Sequence, residues 1–148
     1  MVINTTVNGK AVKLEALPDE NLADVLKKAD FSVRQGCDTT NCGLCTIWFN
    51  GKPMLSCSIP AFRAEGAELT TIDGLEAEAK VVAELIANEG ADQCGYCSPG
   101  LIMTVIALKK ELTDPSDEAI NEYLKGNLCR CTGYQGQLRA VKKYLEVE

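Results

Sequence analysis

The first half of the chain alternates apolar and polar residues over short stretches, which is the pattern of half-buried β-strands. The predicted strands are Val2–Val7, Lys10–Ala16, Thr46–Phe49, Met54–Ile59 and Glu68–Ile72. Two Asn–Gly pairs, Asn8–Gly9 and Asn50–Gly51, are two-residue turn signals. They predict that the first four strands form two hairpins.

A different period interrupts the strands between the two hairpins. Asn21–Ala29 follows Pro18 and Asp19, and its apolar residues recur at helical spacing: Leu22, Val25, Leu26 and Ala29. This predicts a short amphipathic helix. A hairpin, a helix and a second hairpin in that order indicate a small mixed sheet clasping one helix.

The second half carries the helical period throughout. The predicted helices are Glu76–Asn88, Pro99–Leu112, Asp117–Lys125 and Tyr134–Val147. In the first, the apolar positions are Val81, Val82, Leu85 and Ile86. Ser98 and Ser116 are predicted N-caps, with Pro99 at the first helical position. Four helices with short connections predict an antiparallel bundle, so the expected class is α+β.

Composition and charge limit the classes of function that are open to this chain. The chain has 148 residues and a formal charge of −6, from 21 acidic and 15 basic residues. The basic residues are scattered, which argues against nucleic-acid binding. No apolar run of membrane-spanning length occurs, and the opening residues do not resemble a signal peptide. The change of texture near residue 75 predicts two domains, residues 1–75 and 76–148.

The cysteines supply the candidate chemistry. The chain has eight cysteines and no histidine. Cys37, Cys42, Cys45 and Cys57 are spaced C-x4-C-x2-C-x11-C, and the start of this pattern is that of plant-type ferredoxins. Cys94, Cys97, Cys129 and Cys131 form a second set. Each set provides the four thiolates of a [2Fe–2S] cluster, so two such clusters are predicted.

Two other uses of eight cysteines stay open at this point. Four disulfides suit short secreted chains, but a chain with 46 % hydrophobic residues can bury a core without covalent links. Structural zinc is the stronger alternative because CxxC pairs are common zinc ligands. The close spacing of Cys129 and Cys131 argues against it. Thiolates that must stay reduced until metallated indicate a cytoplasmic protein.

The predicted elements place each set of cysteines at a definite point. The first set lies mainly in the loop between the helix and the second hairpin, where Gly36 and Gly43 let the backbone curl closely. The second set lies at one end of the predicted bundle. Helix N-termini after Cys97 and Cys131 would favour an anionic cluster there.

Three strings in this order resemble the small iron–sulfur subunit of molybdenum hydroxylases, the xanthine dehydrogenase and aldehyde oxidase family. The resemblance extends from about Val2 to Tyr144. The matching strings are Gly36-Cys37-Asp38-Thr39 with Cys42-Gly43-Leu44-Cys45-Thr46, Gln93-Cys94-Gly95-Tyr96-Cys97-Ser98-Pro99-Gly100, and Gly126-Asn127-Leu128-Cys129-Arg130-Cys131-Thr132-Gly133-Tyr134. Leu44, Ser98 and Gly136 depart from the frequent family residues, and none of these changes removes a cysteine.

The resemblance implies a fold and an assembly. The fold would be an N-terminal plant-ferredoxin-like β-grasp domain followed by a C-terminal four-helix bundle, each with one [2Fe–2S] cluster. A large partner subunit would hold molybdopterin and the substrate pocket, and a medium subunit would usually hold FAD. Gln93 and Cys131 match the family positions that lie close to the pterin.

The expected function is therefore an electron-transfer subunit of a multi-subunit oxidoreductase, with no catalytic residue of its own. Arg130, between two cysteines, would either raise the potential of the second cluster or face a partner subunit. Two alternatives remain: a free-standing two-cluster ferredoxin-type shuttle, and a zinc-bound structural module.

Overall fold

The computed structural model describes residues 1–147, and in that range five strands form one sheet with the order β2-β1-β5-β3-β4. The strands are β1 (Val2–Val7), β2 (Lys10–Glu15), β3 (Thr46–Phe49), β4 (Lys52–Leu55) and β5 (Glu68–Thr70). The α-helices are α1 (Leu22–Lys28), α2 (Glu76–Asn88), α3 (Ser98–Glu111), α4 (Asp117–Leu124) and α5 (Gln135–Leu145). The predicted α+β class is confirmed.

Both Asn–Gly pairs form the two-residue turns that the sequence predicts. Backbone φ is positive at both residues of each pair, 52° and 77° at Asn8–Gly9 and 50° and 79° at Asn50–Gly51. Such turns match the twist of the flanking strands. They pair β1 with β2 and β3 with β4, both antiparallel. β5 then joins the hairpins, parallel to β1 and antiparallel to β3.

α1 packs its apolar face on this sheet. Asn21 is the N-cap, and its side chain accepts a hydrogen bond of 3.0 Å from the backbone N–H of Asp24. Leu22, Val25 and Leu26 are fully buried with residues of the sheet. Removal of these side chains from water is the main stabilising term for the first half of the chain.

Two strands differ from their predicted bounds by two residues or more, and β2 ends one residue earlier than predicted, at Glu15. β4 is Lys52–Leu55 rather than Met54–Ile59, because the two-residue turn places Lys52 directly opposite Phe49. A 3₁₀ turn, Ser56–Ser58, follows it, and the Ser56 hydroxyl donates to the Cys45 carbonyl at 2.7 Å. β5 ends at Thr70 rather than Ile72, since the Asn8 side chain binds the next backbone N–H and a 3₁₀ turn begins at Ile72.

The helices of the second half follow their predicted bounds closely, with one cap reassigned. Ser116 is the N-cap of α4, and its hydroxyl accepts from the Ala119 N–H at 3.2 Å. The predicted Ser98 cap is wrong: α3 begins at Ser98, so its N-cap is Cys97. α4 and α5 are shorter than predicted, ending at Leu124 and Leu145.

A second core lies among α2, α3, α4 and α5. α3 is its centre, since every residue from Gly100 to Leu108 is buried. Trp48 of β3 belongs to this core and not to that of the sheet. Val81 does not, because half of its surface is exposed and α2 turns Ala79, Val82 and Ile86 inward. No helix within residues 1–147 is long and apolar enough to span a bilayer.

Candidate metal centres

The β3–β4 hairpin and the loop before it bring together the four cysteines of the first set. Cys45 directly precedes β3, and Cys57 lies in the 3₁₀ turn after β4, at the open end of the hairpin. The Cys57 thiol interacts with Cys45, and the Cys42 thiol interacts with Cys37. Cys57 also lies within electrostatic range of Cys37 and Cys42. The hairpin register therefore gathers residues that are up to 20 positions apart in sequence.

The first set is electrostatically suited to a cation. Backbone N–H groups of Asn41 and Thr39 lower the pKa of Cys37 to about 6. Burial and the Cys45 thiol raise the pKa of Cys57 to about 12. Four crowded thiols in a half-buried place cannot all ionise alone, because each thiolate disfavours the next. An iron–sulfur core supplies the positive charge that this donor set lacks, so these residues fit the group.

Gly43 packs the first cysteine loop tightly against the second half of the chain. Its φ is +79°, and a Cβ atom there would lie 2.3 Å from the carbonyl oxygen of Gly126. Gly100, in α3, approaches the same loop, because a Cβ on it would lie 2.4 Å from the Gly43 carbonyl oxygen. Only glycine permits both approaches, so the loop and the helical half touch through their backbones.

The second cysteine set is assembled by two loops at one end of the helical half. Cys94 and Cys97 lie before α3, and Cys129 and Cys131 lie between α4 and α5. The Cys97 thiol interacts with Cys129, and the Cys131 thiol interacts with Cys94. Burial, together with Cys129, raises the pKa of the Cys97 thiol to about 11.

The two sets differ in exposure. Cys42 and Cys45 are only 8 % and 2 % exposed, whereas Cys94 and Cys131 are exposed. All eight cysteines are free thiols. The first site is therefore partly enclosed, and the second opens to the surface.

The thiols contact one another in pairs. Within residues 1–147, no three Cys, Asp or Glu side chains are placed to share one metal ion. The pairs Cys37–Cys42 and Cys45–Cys57 in the first set have counterparts in Cys94–Cys131 and Cys97–Cys129 in the second. A [2Fe–2S] cluster takes two thiolates on each of its two irons, and paired thiols match that demand.

Hydrogen-bond donors to the second set were missed by the sequence analysis. The Thr132 hydroxyl donates to Cys129 Sγ at 3.1 Å, the Tyr96 N–H to Cys94 Sγ at 3.5 Å, and the Gln137 amide to Cys97 Sγ at 3.8 Å. Such donors favour the thiolate and tune a bound cluster. One signal was present: Gln137 is a polar residue on the apolar face of α5, three and four positions before Ala140 and Val141.

A cleft of about 530 Å³ lies between the two cysteine sets and is lined by members of both: Cys37, Cys42, Cys94, Cys97, Cys129 and Cys131. The backbone spans it at one point, where the Leu128 N–H donates to the Cys42 carbonyl at 2.8 Å. Leu128 immediately precedes Cys129, so a single hydrogen bond separates a cysteine of one set from the residue next to a cysteine of the other.

Arg34 fixes the two cysteine loops to each other. Its guanidinium donates to the carbonyls of Gly95 and Tyr96, at 2.7 and 3.1 Å, and lies 5.2 Å from the centre of the Tyr96 ring. The Tyr96 hydroxyl in turn donates to the Gln35 carbonyl at 3.0 Å. Arg34 lies outside every cysteine motif, so sequence spacing gave no signal for it.

Gln93 and Arg130 are both exposed. Cys131 interacts with Cys94, the residue after Gln93, and all three residues are exposed. At the second set, Gln93, Cys94 and Cys131 are therefore accessible from the surface.

Two family models match the chain: a 2Fe-2S iron-sulfur cluster binding domain over residues 6–93 and a [2Fe-2S] binding domain over residues 71–142. The nicotinate dehydrogenase small FeS subunit of Eubacterium barkeri is 40 % identical over 139 residues, which is 90 % of this chain and 88 % of that protein. The xanthine dehydrogenase iron-sulfur-binding subunit of Escherichia coli O157:H7 is 40 % identical over 143 residues, with 91 % and 88 % covered.

Solved structures agree with these relatives. The crystal structure of quinoline 2-oxidoreductase from Pseudomonas putida 86 contains a chain that superposes with a TM-score of 0.89 and 35 % identity, covering 98 % of this chain and 92 % of that one. Two cysteine sets, a matching fold and relatives that cover most of the chain lead to one assignment. The chain belongs to the small iron–sulfur subunits of the molybdenum hydroxylases, the xanthine dehydrogenase and aldehyde oxidase family.

Proposed function

We propose that this chain transfers electrons through two [2Fe–2S] clusters as the iron–sulfur subunit of a multi-subunit molybdenum hydroxylase. The observation that carries the proposal is that two sets of four thiols meet at one cleft, which is lined by Cys37 and Cys42 of the first set and by the whole second set, with the Leu128–Cys42 hydrogen bond across it. Two one-electron centres this close suit a protein that takes electrons from a two-electron oxidation and passes them on singly.

The thiol contacts support a definite ligand assignment. In the first cluster, Cys37 and Cys42 would hold one iron and Cys45 and Cys57 the other. In the second, Cys94 and Cys131 would share one iron and Cys97 and Cys129 the other. Each bound cluster supplies reversible one-electron redox chemistry. The protein contributes orientation of the thiolates, hydrogen bonds to sulfur and, around Cys42 and Cys45, exclusion of water.

The two hydrophobic cores support a division into domains at about residue 75. Residues 1–75 would form a plant-ferredoxin-like β-grasp domain, and residues 76–148 a [2Fe–2S]-binding four-helix bundle. The sheet and α1 enclose one core, and α2 to α5 enclose the other. Trp48 joins them, since it lies on β3 and packs in the core of the helices.

The open second site supports its position next to a large molybdopterin-binding subunit. Gln93 and Cys131 would contact the pterin there, so electrons would enter at the second cluster and leave from the first. An FAD subunit is the proposed acceptor. The thiolate chemistry also supports a cytoplasmic location.

The direct test is metal and sulfide analysis of the purified chain combined with EPR after reduction. We expect four irons and four acid-labile sulfides per chain and two distinct EPR signals. Cys42→Ser should abolish the first signal and leave the second, because no thiol is shared between the sets. A chain that binds zinc, or one in which Cys42→Ser removes both signals without unfolding, would contradict the assignment.

Purification of the native complex tests the partners. Molybdenum and flavin that copurify with the chain support the subunit role, whereas a chain isolated alone with both clusters supports a free-standing electron shuttle.

Gln93→Ala tests the pterin contact. The variant should keep both clusters but slow reoxidation of the molybdenum centre or lower the molybdenum content of the complex. Unchanged values for both would remove Gln93 from the site.

A further inference from the structure

Gln137 is a buried amide beside a cysteine of the second set. It is 4 % exposed, and it lies in the first turn of α5. The other buried polar residues within 1–147 are threonines and a serine, so Gln137 has the largest side chain among them. An amide is costly to bury without a hydrogen-bond partner.

The side-chain partner of Gln137 is sulfur. Its Nε2 donates to Cys97 Sγ at 3.8 Å, and across residues 1–147 no buried side-chain nitrogen or oxygen lacks a partner. A neutral thiol is only a weak acceptor, whereas a metal-bound thiolate accepts strongly. The amide therefore gains its full hydrogen bond when Cys97 is a cluster ligand.

The helix fixes the position of this donor. Gly136, directly before Gln137, lies so close to Ala91 that an added Cβ would meet the Ala91 Cβ at 2.9 Å. At the start of α5, the Tyr134 hydroxyl accepts the Cys129 N–H at 3.0 Å. The other side-chain donor to this set, Thr132, lies on the cysteine loop itself. Gln137, by contrast, lies on α5 and not on either cysteine loop, so a helix holds this hydrogen-bond donor in place.

We propose that Gln137 is a positioning residue that raises the reduction potential of the second cluster. The proposal rests on the assignment of that cluster to Cys94, Cys97, Cys129 and Cys131. On reduction, the cluster would take one electron from its redox partner, so its negative charge would grow by one unit. No covalent bond forms or breaks. A donor aimed at sulfur stabilises the more negative form more strongly, so it makes the second cluster a better electron acceptor.

The test is an EPR-monitored redox titration of the holo-chain carrying Gln137→Leu, which removes the donor at similar volume. We expect both clusters to assemble. The equilibrium constant for reduction of the second cluster should fall by up to about tenfold, which is about 59 mV for one electron. The potential of the first cluster is the internal control and should not move. Cys42→Ser identifies which signal belongs to the second cluster.

Gln135→Leu is the matched control, because Gln135 is exposed two residues earlier on the same helix. It should leave both potentials unchanged. Gln137→Met, which also lacks a donor, carries the test if the leucine variant does not fold. An unchanged second potential in a variant with both clusters would overturn the role of Gln137 and leave the ligand assignment intact. A wild-type chain without a second cluster would overturn both.

Discussion

At the scale of single residues, two glycines with the same backbone φ have different surroundings. Gly43 and Gly51 both have φ of +79°. Around Gly51 the space is open, whereas a Cβ on Gly43 would lie 2.3 Å from the Gly126 carbonyl oxygen. The left-handed conformation costs an alanine about 1–2 kcal/mol at either position. Only at Gly43 does a backbone clash add to that cost.

Gly43→Ala should therefore destabilise the chain well beyond Gly51→Ala and should lower its iron content. Thermal unfolding and iron analysis of the two variants, beside the wild type, measure the difference. Equal unfolding temperatures for the two variants would show that residues 126–127 can move away from the loop without cost.

The residues of the candidate centres divide into those that sequence spacing could identify and those it could not. Both cysteine sets follow from spacing, because four thiolates at suitable separations have few other uses. Arg34 and Gln137 do not, since each acts across more than 35 positions on a loop that tertiary packing places beside it. Their side-chain types alone are compatible with an ordinary surface or core position.

At the scale of elements, the sequence predicted the turns more accurately than the ends of the strands. Both Asn–Gly hairpins were predicted because positive φ at two successive residues is a strictly local demand. The end of β4 was not predicted, because it depends on a hydrogen bond from the Ser56 hydroxyl to the carbonyl of Cys45, 11 residues earlier. The cap of α3 was misplaced for a similar reason, since the second cysteine loop ends at Cys97, one residue before Ser98.

Glu89 holds the end of α2 to α5. Its carboxylate accepts from Arg139 Nε at 2.8 Å and also from Lys143, while only 11 % of its side chain is exposed. The Lys143 and Arg139 hydrogen bonds lower the pKa of Glu89, so the carboxylate is stabilised in its charged form. This pairing fixes the two helices that flank the second cysteine set.

Glu89→Gln should lower the melting temperature of the holo-chain at low salt. The loss should shrink at about 1 M NaCl, where charges are screened beyond about 3 Å. Glu76→Gln is the control, since Glu76 pairs with Lys80 on the surface of α2 with both side chains at least 70 % exposed. Calorimetry of both variants at two salt concentrations tests this. An equal effect of the two substitutions would exclude a special role for Glu89.

At the scale of the whole molecule, β3 belongs to both cores. Ile47 and Trp48 are successive residues, so their side chains point to opposite faces of the sheet. Ile47 packs in the core of the sheet, and Trp48 packs in that of the helices, where its indole N–H donates to the Met103 carbonyl at 3.0 Å. The halves are therefore coupled through one strand.

Wild-type chain should unfold in a single transition, in which tryptophan fluorescence and both EPR signals are lost together. Trp48→Ala should cost about 3–5 kcal/mol and separate the loss of the two EPR signals. Ile47→Ala is the control, since it should destabilise the chain without separating them. Guanidinium titrations followed by the two EPR signals provide the measurement for every variant. Tryptophan fluorescence is added for the wild type and the Ile47 variant, because Trp48 is the single tryptophan of the sequence. Coincident transitions in the Trp48 variant would mean that the remaining contacts between the halves, including those of Gly43 and Arg34, suffice for coupling.

The unequal enclosure of the two cysteine sets has a consequence for the maturation of the protein. Cys42 and Cys45 are buried, and the backbone of residues 126–128 packs on the loop at Cys42 and Gly43, whereas Cys94 and Cys131 are exposed. A scaffold or carrier that delivers iron and sulfide can reach the outer thiols of a finished fold. It can reach the inner ones only while that contact is open. We therefore expect the inner site to be filled during folding, whereas the outer site can be filled last.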